Sequence, residues 1–280
     1  MSGRVVVVTG SNTGIGRATA TDLAARGATV VLACRSEAKT RPVVDEMIAA
    51  TGNPNVEFLP LDLASLASVR ESAATLLATD RPLHILVNNA GVAGQRGLTA
   101  DGFELAFGIN HLGHYLFTKL LLERMVRSAP ARIVNVSSGN HFQPKGLDLD
   151  LVQRSTPSFV GLREYGVSKL CNVLFTQQLA ERYEPDVVSA FAVNPGPVAS
   201  DVWRRIPGPA YKIFQAIRRM KTNAEGAQPS LYCATTPGIE SRSGSYLDED
   251  CTWLAASAVA TPELGRELWA RSEAWVAAGG

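Results

Sequence analysis

This chain predicts a doubly wound α/β fold: a parallel sheet of about seven strands with helices on both faces, in one domain. Three observations carry the expectation. Short continuous apolar runs recur along the chain, helix-length amphipathic segments separate them, and a glycine-rich turn joins the first run to the first helix. Continuous rather than alternating apolar runs are what strands buried on both faces require. Alternation of such strands with helices gives parallel pairing through right-handed crossovers.

Taken in order, Arg4–Thr9 (RVVVVT) is the first strand. Gly10-Ser11-Asn12-Thr13-Gly14-Ile15-Gly16 forms the turn, and a helical pattern follows to Arg26, stopped by Gly27. Ala28–Cys34 is a second strand, so the first unit reads β-α-β. Further strands fall at Val56–Leu61, Leu83–Asn88, Arg132–Val136 and Val187–Val193. A short strand near Ser245–Leu247 and a helix from Pro262 to about Val276 complete the chain. No linker, repeat or low-complexity tract divides residues 1–280. Two stretches break the rhythm, 139–163 and 195–221, the second with four prolines. Both follow carboxyl ends of strands, where open α/β sheets bind ligands, so they read as substrate-side loops or a lid.

With 280 residues, 46% hydrophobic and 19% charged, the composition is that of an ordinary globular protein. A net charge of +1, with Arg218-Arg219-Met220-Lys221 the only basic cluster, argues against nucleic-acid binding. Cys34, Cys171, Cys233 and Cys251 show no paired metal spacing and read as reduced fillers of a cytoplasmic protein. The first strand begins by Arg4, and no run of 18 apolar residues occurs, so neither a signal peptide nor a membrane span is expected.

Gly10, Gly14 and Gly16 make TGxxxGxG between strand and helix. Glycines permit the tight turn and let backbone approach a pyrophosphate, whose charge then faces the helix N-terminus. The alternative is a glycine-rich turn without a ligand; a mononucleotide P-loop is excluded because the Gly-Lys-Ser/Thr ending is missing. The second strand ends Ala33-Cys34-Arg35-Ser36, with no acid before Glu37. NAD-preferring folds place an acid there for the ribose 2′-hydroxyl, whereas an arginine suits a 2′-phosphate. NADP(H) is therefore expected ahead of NAD(H), with Arg17 as a second cation; otherwise Arg35 is a solvated residue at a helix start.

Glu164–Arg182 carries apolar residues at helical spacing: Val167, Leu170, Val173, Leu174 and Leu179. Tyr165 and Lys169, four apart, share a face. A tyrosine pKa of about 10 must fall by roughly 3 units, about 4 kcal/mol, before it serves as a base at neutral pH. A lysine ammonium with a second cation could supply that. Alone, such a pair is common and proves little.

Together these motifs resemble the short-chain dehydrogenase/reductase family, over essentially the full length. Beyond TGxxxGxG and YxxxK stand Asp62-Leu63, Asn88-Asn89-Ala90-Gly91, Asn110 in a long helix, Val136-Ser137-Ser138 and Asn194-Pro195-Gly196, in the family's order. Leu32-Ala33-Cys34-Arg35, Asn110-His111-Leu112-Gly113-His114 and Glu225-Gly226-Ala227-Gln228 are similar to the retinol dehydrogenase-like subgroup. Membrane members of that subgroup begin with an apolar anchor that this chain does not show. The resemblance implies a Rossmann-type domain and a catalytic tetrad of Asn110, Ser138, Tyr165 and Lys169. Tyr165 would be general acid or base, with Ser138 holding the carbonyl oxygen; the neighbouring Ser137 is a lesser candidate. Lys169 would bind the nicotinamide ribose and lower the tyrosine pKa, the oxidised nicotinamide acting as second cation. Asn110 would anchor a water leading to Lys169. Gly10 to Gly16, Arg35, Asp62, Leu63, Asn89, Ala90, Gly91, Pro195, Gly196 and Val198 would contact the cofactor. One departure stands out: 26 residues separate Ser138 from Tyr165, more than is usual in the family.

Other candidates carry less. His111 and His114 could share a metal, but no third ligand is visible, so packing or capping is expected and no metal site is assigned. His84 and His141 are lone histidines; the latter lies in the long loop within conceivable reach of substrate, and no role is assigned to it. Trp203, Tyr211 and Phe214 read equally as an apolar lid or a small satellite core. The resulting expectation is an NADP(H)-dependent oxidoreductase interconverting an alcohol and a small-molecule, apolar carbonyl, running toward reduction, with homo-oligomer formation left open. A non-catalytic NADP(H)-binding sensor is the first rival, though such proteins usually lose the tyrosine or lysine. A nucleotide-sugar epimerase or dehydratase is the second, and those differ at the first loop.

Overall fold

Alternate residues of each strand feed opposite faces of the sheet, and this sets the layers. Val6, Val8, Val30, Leu32, Val87 and Val134 pack into one core; Val7, Val31, Leu86 and Ile133 pack into the other. The computed structural model describes residues 1–198 and 220–278. Its strands are β1 (Val5–Thr9), β2 (Thr29–Cys34), β3 (Val56–Pro60), β4 (Ile85–Asn88), β5 (Ala131–Val136), β6 (Val188–Val193), β7 (Tyr246–Leu247) and β8 (Trp253–Leu254). They form one sheet in the order β3-β2-β1-β4-β5-β6-β7-β8.

Every pairing is parallel except the last. The sequence reading expects about seven strands; β8 is an eighth, pairing antiparallel with β7 through Tyr246↔Leu254 and Leu247↔Trp253. At two residues it is too short for any periodicity to announce it.

Helices α1 (Gly14–Ala25), α2 (Glu37–Thr51) and α7 (Asn223–Thr235) cover one face. The other is covered by α3 (Leu66–Leu77), α5 (Gly113–Arg127), α6 (Leu162–Arg182) and α8 (Pro262–Ala278). A short α4 (Leu105–Phe107) runs into a π-turn, Gly108–Leu112, before α5 begins. Asn110 therefore lies in a π-turn rather than within the long regular helix expected. π-turns open the i→i+4 ladder and recur at functional sites. Gly113 fits there because a Cβ would stand 2.6 Å from the Leu63 carbonyl oxygen.

The C-terminal α8 lies across α5 and α6. Its Trp269 ring is 5.2 Å from that of Tyr115 and 5.9 Å from that of Phe175, and the Arg182 guanidinium stacks 4.2 Å from the same indole. Trp275 meets Phe107 edge-on at 5.6 Å. Aromatic rings of α8 thus cover part of the surface of α5 and α6. No described helix is long and apolar enough to cross a membrane. Trp203, Tyr211 and Phe214, and with them most of the expected 195–221 lid, lie outside the described residues.

Candidate active site

Strand order reverses between β1 and β4, and the crevice there receives the glycine turn from one side and Asn89 to Gly91 from the other. The two segments touch so closely that side chains are excluded. A Cβ on Gly10 would stand 2.8 Å from Ala90, and one on Gly16 would stand 2.6 Å from the Gly10 carbonyl and strike the Asn89 amide. Gly10 and Gly14 hold φ of +63° and +60°, a backbone region that favours glycine. The Asn89 amide donates to the Thr9 carbonyl at 2.8 Å and reaches that of Gly10 at 3.3 Å. Ser11 is pinned by its hydroxyl to the Val8 carbonyl at 2.8 Å and by its N–H to Cys34 Sγ at 3.2 Å. A bare backbone cradle at a helix N-terminus fits a pyrophosphate.

At the end of β2, Arg35 is exposed at the head of α2, where Lys39 is exposed one turn on. The first acid, Glu37, accepts from Arg41 at 2.6 Å. Arg17 does not join Arg35: it pairs with Glu46 at 2.5 Å. Asp62 is half-buried and accepts the Ala64 N–H at 3.0 Å. The Leu63 side chain packs in the core, so only its backbone can face the crevice.

Pro195, Gly196 and Val198 approach the same crevice. Gly196 has a φ of +76°, and a side chain there would collide with Glu249. Lys221 N–H donates to the Pro197 carbonyl at 2.9 Å. Val198 packs over Gly226, where a Cβ would also meet Ile15 at 3.3 Å, joining this segment to the glycine turn.

The implied tetrad comes together beside it. The Ser138 hydroxyl lies near enough to the Tyr165 phenol to favour its ionised form. Lys169 Nζ lies 5.5 Å from the Tyr165 ring centroid and donates to the Val136 carbonyl at 2.8 Å. One of its three N–H groups is thereby used, and the ammonium faces Gly91, where a Cβ would be 3.6 Å from Nζ and 3.2 Å from Asn110 Oδ1. Asn110 clamps Val92, accepting its N–H at 2.8 Å and donating to its carbonyl at 3.0 Å, and reaches Ser168 Oγ at 2.9 Å. Ser137 is fully buried and donates to the Lys169 carbonyl at 2.8 Å, so it braces α6 and leaves the reacting position to Ser138.

The electrostatics of the bare chain run against the expected activation. Burial pushes the Tyr165 phenol up, with the Ser138 hydroxyl acting the other way. Burial also pushes Lys169 down, to about 7. The pair alone does not make a phenolate at neutral pH; that requires a charged Lys169 and added positive charge.

The histidines resolve into separate jobs. His111 Nε2 lies 3.1 Å from Ser272 Oγ on α8, and burial takes its pKa down to about 3. His114 faces Thr9 and the Asn110 carbonyl. No cluster of three or more potential metal ligands occurs among the described residues. His84 Nδ1 accepts the Val5 N–H at 3.0 Å at the far end of the sheet. His141 is buried: Nδ1 donates to the Ser138 carbonyl at 2.8 Å and Nε2 accepts from Ser257 N–H at 3.2 Å, so it fixes the backbone that aims Ser138.

Sequence reasoning missed a second set of residues. Asn172 shares the Val136 carbonyl with Lys169, at 3.1 Å. Behind it runs a buried ladder in which Asn88 donates to Thr118 and Asn135, and Asn135 donates to Thr176. Polar residues inside otherwise apolar strands and helices were the available signal. Only the start of 139–163 borders Ser138. Its later part lines a cavity of about 780 Å³ with Glu104, Phe107, Leu147, Val152, Glu164 and Val167. Tyr165 and Val167 are two apart on a helix and point nearly oppositely, so this cavity lies on the face of α6 away from the phenol.

Comparison with known proteins fits this geometry. The family profile described as short chain dehydrogenase matches residues 4–148. Retinol dehydrogenase 11 of Mus musculus is 45% identical over 96% of this chain and 85% of its own length. Retinol dehydrogenase 12 of Homo sapiens is also 45% identical, with the same coverage. Among solved structures, an uncharacterised protein from Mycobacterium paratuberculosis superposes with a TM-score of 0.76 at 31% identity, covering 99% of this chain and 94% of that one. A Beutenbergia cavernae protein described as an NAD(P) dependent gluconate 5-dehydrogenase, with NADP bound at low occupancy, gives 0.71 at 28% identity, covering 91% and 98%. With the glycine cradle, the Ser138–Tyr165–Lys169 cluster and these relatives in agreement, the chain belongs to the short chain dehydrogenase family and, within it, is retinol dehydrogenase-like.

Proposed function

We propose that this oxidoreductase interconverts an apolar carbonyl compound and its alcohol, using NADP(H) in preference to NAD(H), with Tyr165 as general acid and base. One observation carries the reading: the neighbouring Ser138 and Tyr165 hydroxyls stand beside the buried Lys169 at the edge of a side-chain-free backbone cradle. The names of the retinol dehydrogenase relatives and the NADP held by one structural neighbour support it.

The dinucleotide supplies or accepts the hydride. Gly10 to Gly16 would hold its pyrophosphate through backbone N–H groups, and Arg35 would pair with the 2′-phosphate. Asp62 and the Leu63 backbone serve the adenine side, Asn89 to Gly91 the ribose, and Pro195 to Val198 the nicotinamide side. Lys169, anchored on Val136, would offer its remaining N–H groups to the ribose. Ser138 donates to the substrate oxygen as charge develops there. Tyr165 delivers its proton to that oxygen in reduction and removes it in oxidation. Asn110 keeps the relay beside Lys169 in place through Val92 and Ser168.

Reduction is the proposed direction, since cellular NADPH pools are kept reduced. Incubating the pure protein with NADPH and a panel of apolar aldehydes and ketones tests the proposal. Loss of NADPH absorbance with at least one of them is expected. Tight NADPH binding with no turnover of any would overturn it.

A further inference from the structure

The Thr9 hydroxyl, at the end of β1, is a junction of hydrogen bonds. Its oxygen accepts the N–H groups of Asn89 and Ala90, each at 2.9 Å. Two acceptances occupy both lone pairs, so the hydroxyl proton must be donated. His114 Nε2 is 2.8 Å away; the other acceptor, the Val87 carbonyl, is at the 3.5 Å limit. His114 Nε2 is therefore an acceptor and carries no proton. On the opposite edge of the ring, Nδ1 lies 3.1 Å from the Asn110 carbonyl oxygen, which can only accept. Nδ1 is thus protonated, and the surrounding bonds leave a single tautomer. The ring is 2% exposed, and burial takes its pKa down to about 4, in keeping with a neutral imidazole.

This ring joins two parts of the site that otherwise meet through the hydrogen bonds between Asn110 and Val92. On one side is the Asn89–Gly91 turn, held through Thr9 and pressed against Gly10. On the other is the π-turn that presents Asn110 to Val92, Ser168 and the surroundings of Lys169. A π-turn frees backbone carbonyls from the regular ladder, and here a side chain one turn later takes up that of Asn110.

We infer that His114 is a positioning residue. Through Thr9 and the Asn110 carbonyl it holds the cofactor-side turn and the Asn110 turn in register with Lys169 and Tyr165. The inference rests on the proposed reaction, and its test lets the two fail separately.

Wild type is compared with His114→Phe, which keeps ring volume without hydrogen bonds, and His114→Gln, whose amide offers one donor and one acceptor. The readouts are NADPH dissociation constants from fluorescence titration, kcat and KM, melting temperature, and imidazole ¹⁵N shifts. In wild type the shifts are expected to report an Nδ1-protonated ring that stays neutral from weakly acidic to alkaline pH. His114→Phe is expected to weaken NADPH binding and lower kcat by about tenfold each, leaving KM for the carbonyl compound unchanged. His114→Gln is expected to recover most of both losses. A folded His114→Phe protein within twofold of wild type in both quantities overturns the inference, as does an Nε2-protonated ring. Gln behaving like Phe would leave only a packing role and overturns it too. If wild type proves inactive, the reaction is wrong while NADPH affinity and the tautomer still decide the role of His114. If His114→Phe fails to fold, the wild-type tautomer and the Gln variant decide it.

Discussion

The two walls of the proposed catalytic groove are built by different means. The cofactor wall, from β1 to the Asn89–Gly91 turn, is made of backbone: glycines admit close approach, and few of its side chains carry chemistry. The opposite wall, from the π-turn to α6, is made of buried polar side chains, each held by partners from distant parts of the chain. The first wall should be vulnerable to added atoms and the second to removed ones. That contrast teaches how each is specified. A backbone wall needs small residues in one short stretch, whereas a side-chain wall needs the whole sheet to bring its members together.

The contrast can be broken most directly at Tyr165. Tyr165→Phe removes one oxygen from the side-chain wall; kcat is expected to fall about a thousandfold with NADPH binding retained. A variant with near-wild-type turnover would remove Tyr165 from the chemistry.

Gly16→Ala makes the opposite change, adding one carbon to the backbone wall. The new Cβ would press on the Gly10 carbonyl at 2.6 Å and on Asn89. Overpacking of this kind costs about 1–3 kcal/mol, so NADPH affinity is expected to drop by up to about a hundredfold. Unchanged titration curves would show that the cradle yields more easily than its contacts suggest.

Arg35→Ala sharpens the comparison by testing the charged side chain proposed to select the dinucleotide. KM for NADPH is expected to rise about tenfold while KM for NADH stays level. An equal rise for both would place Arg35 away from the 2′-phosphate.

The smallest effect lies in pH dependence. Burial lowers Lys169 from 10.5 to about 7. Between those values the unfolded chain binds a proton that the folded chain does not, so folded wild type without cofactor gains stability as pH rises through the window. Below about 7 the penalty for the buried charge is felt in full. Lys169→Met lacks this slope, so its advantage in melting temperature should be largest near neutral pH and below, and fade toward pH 10.5. A difference independent of pH would mean that Lys169 stays charged in the folded chain.

Ser137 and Ser138 show how far local pattern reaches. Adjacent hydroxyls are equivalent in local pattern; the family resemblance favoured Ser138, and the packing of α6 supplies the physical reason, because Ser137 is spent on the Lys169 carbonyl while Ser138 lies near the phenol. Arg17 shows the same limit: near the glycine turn it read as a phosphate ligand, yet α2 brings Glu46 to it first. The eighth strand escaped notice because two residues carry no period, and the cavity beside Val167 because a loop's course cannot be read from its composition.

By itself the sequence determined the layered α/β fold, the glycine cradle, the arginine at the end of β2 and the shared face of Tyr165 and Lys169. Each of these depends on residues within one turn, strand or helix, where spacing fixes geometry. Only the tertiary structure decided that Ser137 braces α6, that Asn110 sits in a π-turn, that His114 and His141 hold buried carbonyls, and that α8 packs on α5 and α6. These rest on contacts between residues far apart in the chain, and burial among them sets the protonation of Lys169 and His114. Local spacing cannot encode a partner that arrives a hundred residues later.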